Sequence, residues 1–260
     1  MPTSVPVFDA LETTSAAVAA IADSLPDWSI PTPAESWTVA HQVAHLAWTD
    51  EVSLVAATDP EAFTALLQEA LKDPMGFVDA GAAELAADPE LRARWDRARA
   101  ALAVALRAAD PGTPLPWFGP PMRPATMANA RLMETWAHGL DIADAAGVDL
   151  NTPEALPHVA KIAYKTRDFA YTVNGETPPA EPFDVFLVAA DGSEACFGPG
   201  DAQQRVTGSL EDFCRLATQR INVADTDLVA TGADAAHWLT IAQCFAGAPG
   251  TGRAPQEGRA

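Results

Sequence analysis

The chain has 260 residues, 48% of them hydrophobic, and its 35 acidic against 16 basic residues give a net charge of −19. This length permits a sizeable core in one large domain or two small ones. The negative charge repels phosphate backbones and argues against nucleic-acid binding. No uninterrupted apolar stretch reaches the ~18 residues of a membrane span, so we expect no membrane insertion.

The N terminus and the cysteines predict a cytoplasmic protein, which we expect to be a monomer or a homodimer. Residues 1–10 lack the basic region and the apolar region of a secretory signal. The cysteines are odd in number and widely spaced, which favours free thiols in a reducing compartment over a disulfide framework. They are Cys196, Cys214 and Cys244.

From Val7 to about Gly147 the apolar residues recur at helical spacing, with breaks at clusters of proline and glycine. This pattern predicts a bundle of helices over 8–24, 37–57, 61–72, 75–87, 90–109 and 124–146. Three residues have the side chains and positions of helix N-caps. They are Ser36, Asp59 and Asp88.

The segment 112–124 interrupts the bundle, because its prolines are incompatible with a helix. It is too apolar to be a simple tether, so we expect it to pack over the mouth of the bundle. There Trp117 and Met122 would line a cofactor pocket beside the last helix. A hydrophobic plug that serves stability alone is an equal alternative.

After Gly147 the pattern changes to a small α+β domain. Helices are predicted over 154–173, 210–220 and 234–245. Strands are predicted over 183–189, 194–197 and 204–207, with an edge segment over 225–230. A turn at Asp191 and Gly192 joins the first two strands as a hairpin. The predicted domains are therefore 1–150 and 151–250, followed by a flexible tail over 251–260.

His45, Glu134 and His138 form the candidate metal site. Glu134 and His138 are four residues apart, which places them on one face of a helix. His45 lies beside an apolar stripe and faces inward, where an imidazole needs a partner. Two histidines and one carboxylate leave coordination positions open, as in hydrolytic zinc and non-haem iron sites. The alternative is a solvated ion pair on a helix surface.

Two stretches of the chain carry a family resemblance, Trp37–Val39 with His45 and Leu46, and Arg131–Asp144 before Gly147. They resemble the DinB-like metal-binding four-helix bundles, in particular the mycothiol-dependent maleylpyruvate isomerase branch of actinobacteria. The second half resembles the sterol-carrier-like α+β module of that branch. The resemblance implies a divalent metal on His45, Glu134 and His138, with zinc favoured over nickel or iron.

The resemblance also implies a function. The metal would anchor a low-molecular-weight thiol such as mycothiol, for sulfur transfer to, or isomerisation of, a small electrophilic substrate. Arg220 is the candidate catalytic residue that holds an anionic group of the substrate, or it pairs with a nearby acid. His41 stands where relatives more often carry an acidic residue. It is interpreted as a proton shuttle or a surface residue rather than a fourth ligand.

Two other functions fit the same residues. A hydrolase or lyase would use the three ligands to activate water directly, without a thiol. A non-catalytic protein that binds a hydrophobic ligand would use the metal for structure alone, although structural zinc sites usually have four protein ligands.

Overall fold

The computed structural model describes residues 5–73, 76–250 and 252–256. The chain divides into two compact units, one formed by Pro6–Thr152 and one formed by Val5 with the chain from Pro153 onward. The first unit is helical and the second contains a four-stranded sheet with helices. The predicted fold class, a helical bundle followed by an α+β domain, is confirmed. No described helix combines the length and the hydropathy needed to cross a bilayer.

The first unit is built around four long helices. Helix α1 packs on α6, and α2 packs on both α5 and α6, which gives a four-helix bundle; the shorter α3 and α4 pack against α2. The helices are α1 (Val7–Ser24), α2 (Val39–Thr58), α3 (Pro60–Ala70), α4 (Phe77–Ala86), α5 (Leu91–Ala108) and α6 (Pro124–Ala146). Residue 75, the predicted start of α4, lies outside the described residues.

One of the three predicted N-caps is confirmed. The Asp59 carboxylate accepts a hydrogen bond from the backbone N–H of Ala62 at 3.0 Å, at the start of α3. The prediction for Ser36 is wrong, because this residue has a left-handed backbone (φ 65°) in a turn and α2 begins at Val39. Asp88 also lies in a turn, two residues before the N-cap of α5.

A buried ion pair connects three helices of the bundle. Asp50 of α2 accepts a hydrogen bond from Arg131 Nε of α6 at 2.9 Å and one from Trp95 Nε1 of α5 at 3.1 Å. The side chains of Arg131 and Asp50 are only 2% and 5% exposed. Buried charges are stable only when they are paired, so this network helps to specify how the helices meet.

The second unit contains a mixed sheet with the strand order β2-β1-β3-β4. Strand β1 pairs antiparallel with β2, which confirms the predicted hairpin, and parallel with β3. The strands are β1 (Phe183–Val188), β2 (Glu194–Phe197), β3 (Gln204–Ser209) and β4 (Val229–Thr231). The helices are α7 (Leu156–Lys165), α8 (Arg167–Val173), α9 (Leu210–Ala217) and α10 (Ala233–Ile241).

Several boundaries in the second unit differ from the prediction. The helix predicted over 154–173 is two helices, and α9 ends at Ala217 rather than at 220. The reason for the early end is Gln219, whose left-handed backbone (φ 61°) terminates the helix. In the predicted tail, the carbonyl of Arg253 accepts a hydrogen bond from Asn222 and the backbone N–H of Gln256 donates one to Asp225. Residues 251 and 257–260 lie outside the described residues. All three cysteines are thiols rather than halves of disulfides, as predicted.

Candidate metal centre

His45 and the pair Glu134 and His138 meet inside the helical bundle. His45 Nε2 lies 3.4 Å from Glu134 Oε2, and His138 Nε2 lies 3.2 Å from the same oxygen. One possible ligand atom from each residue lies within 4.8 Å of the other two. Helix α2 supplies His45 and α6 supplies the other two, so the contact between these helices forms the cluster.

The cluster is largely buried, and each of its side chains keeps a small exposed fraction. The side chains of His45 and His138 are 11% and 13% exposed, and that of Glu134 is 23% exposed. The indole of Trp37 packs against both imidazoles, with ring centroids 5.6 Å from His45 and 5.8 Å from His138. This aromatic contact restricts the rotation of both rings.

The electrostatic surroundings keep Glu134 anionic. Burial acts to raise the pKa of this carboxyl group. Hydrogen bonds with His138 and His45, together with the positive charge these rings can carry, outweigh burial and hold the pKa well below its ordinary value of 4.5. A carboxylate that is deprotonated at neutral pH is ready to bind a cation without first losing a proton.

The low pKa of Glu134 makes the stability of the metal-free protein depend on pH. A carboxyl group with a lower pKa in the folded chain than in the unfolded chain stabilises the fold above its unfolded-state pKa, and this contribution is lost as the pH falls. We therefore expect wild type to exceed Glu134→Gln in free energy of unfolding above pH ~5, and the difference to shrink on further acidification. Urea unfolding of both proteins with a chelator present measures this difference. A difference that grows in acid would contradict the prediction.

Two of the three separations between the ligand atoms fit a single cation, and the third is at most 4.8 Å. A tetrahedral cation with bonds of about 2.0–2.1 Å holds its ligand atoms about 3.3 Å apart. The two separations from Glu134 Oε2, 3.2 and 3.4 Å, bracket that value. Imidazole nitrogen and carboxylate oxygen suit zinc, nickel and iron, so the donor set does not select one of these metals.

Comparison with known proteins places this chain in a family. Residues 8–143 match the family described as the mycothiol maleylpyruvate isomerase N-terminal domain. The chain belongs to this family. This confirms the resemblance that the sequence motifs indicate.

The sequence matches to two relatives cover most of the chain. Two proteins of Mycobacterium tuberculosis, from strains CDC 1551 / Oshkosh and ATCC 25618 / H37Rv, are each named as uncharacterized. Both are 54% identical to this chain over 228 residues, which is 87% of this chain and 89% of the relative.

Solved structures of a mycothiol-dependent maleylpyruvate isomerase share the fold of this chain. One has a TM-score of 0.54 at 19% identity, and a histidine-to-alanine mutant has a TM-score of 0.55 at 18% identity. Each likeness covers 86% of this chain and 91% of the solved one. At this level of identity the likeness shows the fold, and residue roles have to be argued from the site itself.

Trp117 and Met122, the residues predicted to line a cofactor pocket, lie in the loop before α6. Trp117 contacts Phe63 and Phe118, and the backbone of Met122 pairs with that of Leu115. The loop packs onto the bundle through an aromatic cluster formed by Trp48, Phe63, Phe77, Trp117 and Phe118. The described ring contacts of Trp117 do not include His45 or His138, so its role in cofactor binding stays a prediction.

The two predicted catalytic residues, His41 and Arg220, are not among the three clustered ligands. His41 Nδ1 lies 2.9 Å from Thr38 Oγ1 and 3.4 Å from Thr38 N, an arrangement that caps the start of α2. Arg220 belongs to the second unit, where its Nη1 donates a hydrogen bond to the carbonyl of Thr218 at 2.6 Å. Their catalytic roles stay predictions.

Two residues that the sequence analysis did not assign to the site contact it directly. Trp37 packs on both imidazoles, and Gln42 Oε1 lies 2.5 Å from His138 Nδ1. The available signal for Gln42 was its spacing, because it precedes His45 by three residues and so shares a face of α2 with it. A buried glutamine on that face requires hydrogen-bond partners.

Proposed function

We propose that this protein is a metal-dependent enzyme that uses a low-molecular-weight thiol, such as mycothiol, to isomerise a small electrophilic substrate or to transfer sulfur to it. The observation that carries the proposal is the convergence of His45, Glu134 and His138 at ligand spacing. Membership of the mycothiol maleylpyruvate isomerase family supports the use of a thiol.

Three side chains have defined tasks in this proposal. His45 and His138 would hold the cation through Nε2, and Glu134 would hold it through Oε2. Three protein ligands leave at least one coordination position for an incoming donor. A bound divalent cation would supply the positive charge that stabilises a thiolate at neutral pH, since a free thiol has a pKa of about 8.5.

The proposed substrate class is an activated cis alkene, of which maleylpyruvate is the example that the solved relatives' names provide. Addition of a thiolate to the double bond, rotation about the resulting single bond and elimination of the same thiolate convert the cis alkene into the trans isomer. The thiol is regenerated, so no oxidant or reductant is required. A carboxylate would match the forked donors of Arg220, whose role in substrate binding stays a prediction.

The test is the rate of cis-trans isomerisation of maleylpyruvate by the purified protein. We expect turnover with mycothiol, loss of turnover when mycothiol is omitted, and loss again when a chelator removes the metal. Zinc should restore the chelated protein. His45→Ala should lose turnover, whereas His158→Ala, which removes a histidine outside the cluster, should keep it.

The alternative functions predict different outcomes in the same assay. Metal-dependent hydrolysis or elimination that proceeds without a thiol would favour activated water and contradict the thiol proposal. Retention of metal with no turnover of any electrophile, together with binding of a hydrophobic ligand, would favour a non-catalytic carrier.

A further inference from the structure

We propose that Gln42 is a positioning residue for the metal centre. Its side-chain carbonyl accepts a hydrogen bond from His138 Nδ1 and thereby favours, in the metal-bound protein, the imidazole tautomer with its hydrogen on Nδ1 and a lone pair on Nε2 for the cation. This inference rests on the proposed function, because the tautomer matters only if Nε2 of His138 binds a metal.

The contacts of Gln42 form a continuous series of hydrogen bonds. The side chain is fully buried in the bundle. Its Oε1 lies 2.5 Å from His138 Nδ1, and its Nε2 lies 2.9 Å from Thr32 Oγ1. The Thr32 hydroxyl in turn lies 3.0 Å from the backbone carbonyl of Trp37.

The end of this series determines the direction of every bond in it. A backbone carbonyl can only accept, so the Thr32 hydroxyl donates its proton to Trp37. The hydroxyl oxygen can then only accept a hydrogen bond from Gln42. The side-chain NH₂ of Gln42 must therefore be the group that faces Thr32. The amide carbonyl must therefore face His138, and Nδ1 of His138 must carry a hydrogen.

The series ends in a hydrogen-bonded turn. Besides the hydroxyl, the backbone N–H of Thr32 donates to the same carbonyl of Trp37 at 2.9 Å. Pro31 and Thr38 pair as an isolated bridge at the base of the turn. The indole of Trp37 stacks on the His138 ring at an interplanar angle of 20°. The turn thus restrains both the tautomer and the orientation of His138.

Helix α6 by itself does not determine the tautomer of His138. It places Glu134 one turn before His138, but both neutral tautomers of the imidazole fit the same backbone. With a hydrogen on Nε2 the ring would donate to Glu134 and would have no lone pair for a cation. Outer hydrogen-bond partners of metal-binding histidines typically contribute 10–100-fold to metal affinity.

The test is zinc affinity, measured by competition with a chelator, for four variants and wild type. Gln42→Leu removes the acceptor, and we expect zinc affinity to fall roughly 10–100-fold. Gln42→Glu keeps an acceptor and should retain zinc affinity close to that of wild type. Thr32→Val removes the hydroxyl that orients the amide and should cause a smaller loss. Ser53→Ala is the matched control, because Ser53 is a buried polar residue of α2 that bonds only to Thr49 among its described contacts.

A second measurement reads the tautomer without reference to activity. Nitrogen-15 spectra of the zinc-loaded wild type should show His138 protonated at Nδ1 and bound through Nε2. Protonation at Nε2 would overturn the inference even if Gln42→Leu fails to fold.

The outcomes separate this inference from the proposed function. A wild type that takes up none of zinc, nickel and iron contradicts the metal centre itself, and with it the positioning role. A wild type that binds zinc, with Gln42→Leu equal to it, contradicts only the role of Gln42.

Discussion

Alanine at position 138 should remove most of the metal from the protein. We expect His138→Ala and Glu134→Ala, purified without added metal, to retain less than about a tenth of the wild-type metal content. The physical reason is that each change deletes one of three converging ligands. The carboxylate of Glu134 contacts both histidines, so its loss also leaves two imidazoles facing each other without a counter-charge. Elemental analysis per folded chain measures the effect.

The matched control for this experiment is His158→Ala. Its imidazole belongs to the second unit and contacts the backbone carbonyl of Val5. Removing it tests whether metal is lost merely because the protein has one histidine fewer. If the His138 and Glu134 variants fold and keep their full metal content, the candidate metal centre is wrong.

The second large effect should come from the buried ion pair in the bundle. We expect Asp50→Ala to lower the free energy of unfolding by about 3–5 kcal/mol. The change leaves the guanidinium of Arg131, only 2% exposed, without its counter-charge, and removes the acceptor of Trp95. Urea unfolding of the metal-free protein measures this loss independently of metal binding.

Two further variants determine whether charge burial is the cause. Glu51 follows Asp50 in the chain and forms a half-exposed ion pair with Arg94. Glu51→Ala breaks this pair and should lower the free energy of unfolding by less than about 1 kcal/mol. Combining Asp50→Leu with Arg131→Met removes both buried charges and should cost less than Asp50→Ala alone. Equal losses for Asp50→Ala and Glu51→Ala would show that the pair is not a buried electrostatic contact of this kind.

Local interactions account for the features that were predictable. The four-residue spacing of Glu134 and His138 defines one helical face, whatever the rest of the fold does. Asp59, which precedes Pro60, caps α3 by accepting a hydrogen bond from the backbone N–H of Ala62, three residues later. The turn at Asp191 and Gly192 joins two strands that are adjacent in the sequence.

Errors arose at the ends of helices, where the backbone conformation of a single residue shifts the boundary of the helix. Ser36 resembles an N-cap locally, yet the pairing of Pro31 with Thr38 holds it in a turn, so that α2 begins later. Arg220 was assigned to the end of a helix that Gln219 terminates early with a left-handed backbone. His41 has the chemistry of a catalytic group, and its ring contacts Thr38 at the helix start, so its catalytic role stays a prediction.

The sequence by itself determined which residues can bind a cation, because donor chemistry and helical period are properties of short stretches. The tertiary structure alone decided that His45 reaches Glu134 across 89 residues, since this contact depends on α2 packing against α6. It also decided which nitrogen of His138 faces the cluster. The direction of the hydrogen bond to His138 depends on the whole series from Trp37 through Thr32 and Gln42. It cannot be read from any one of these residues in the sequence.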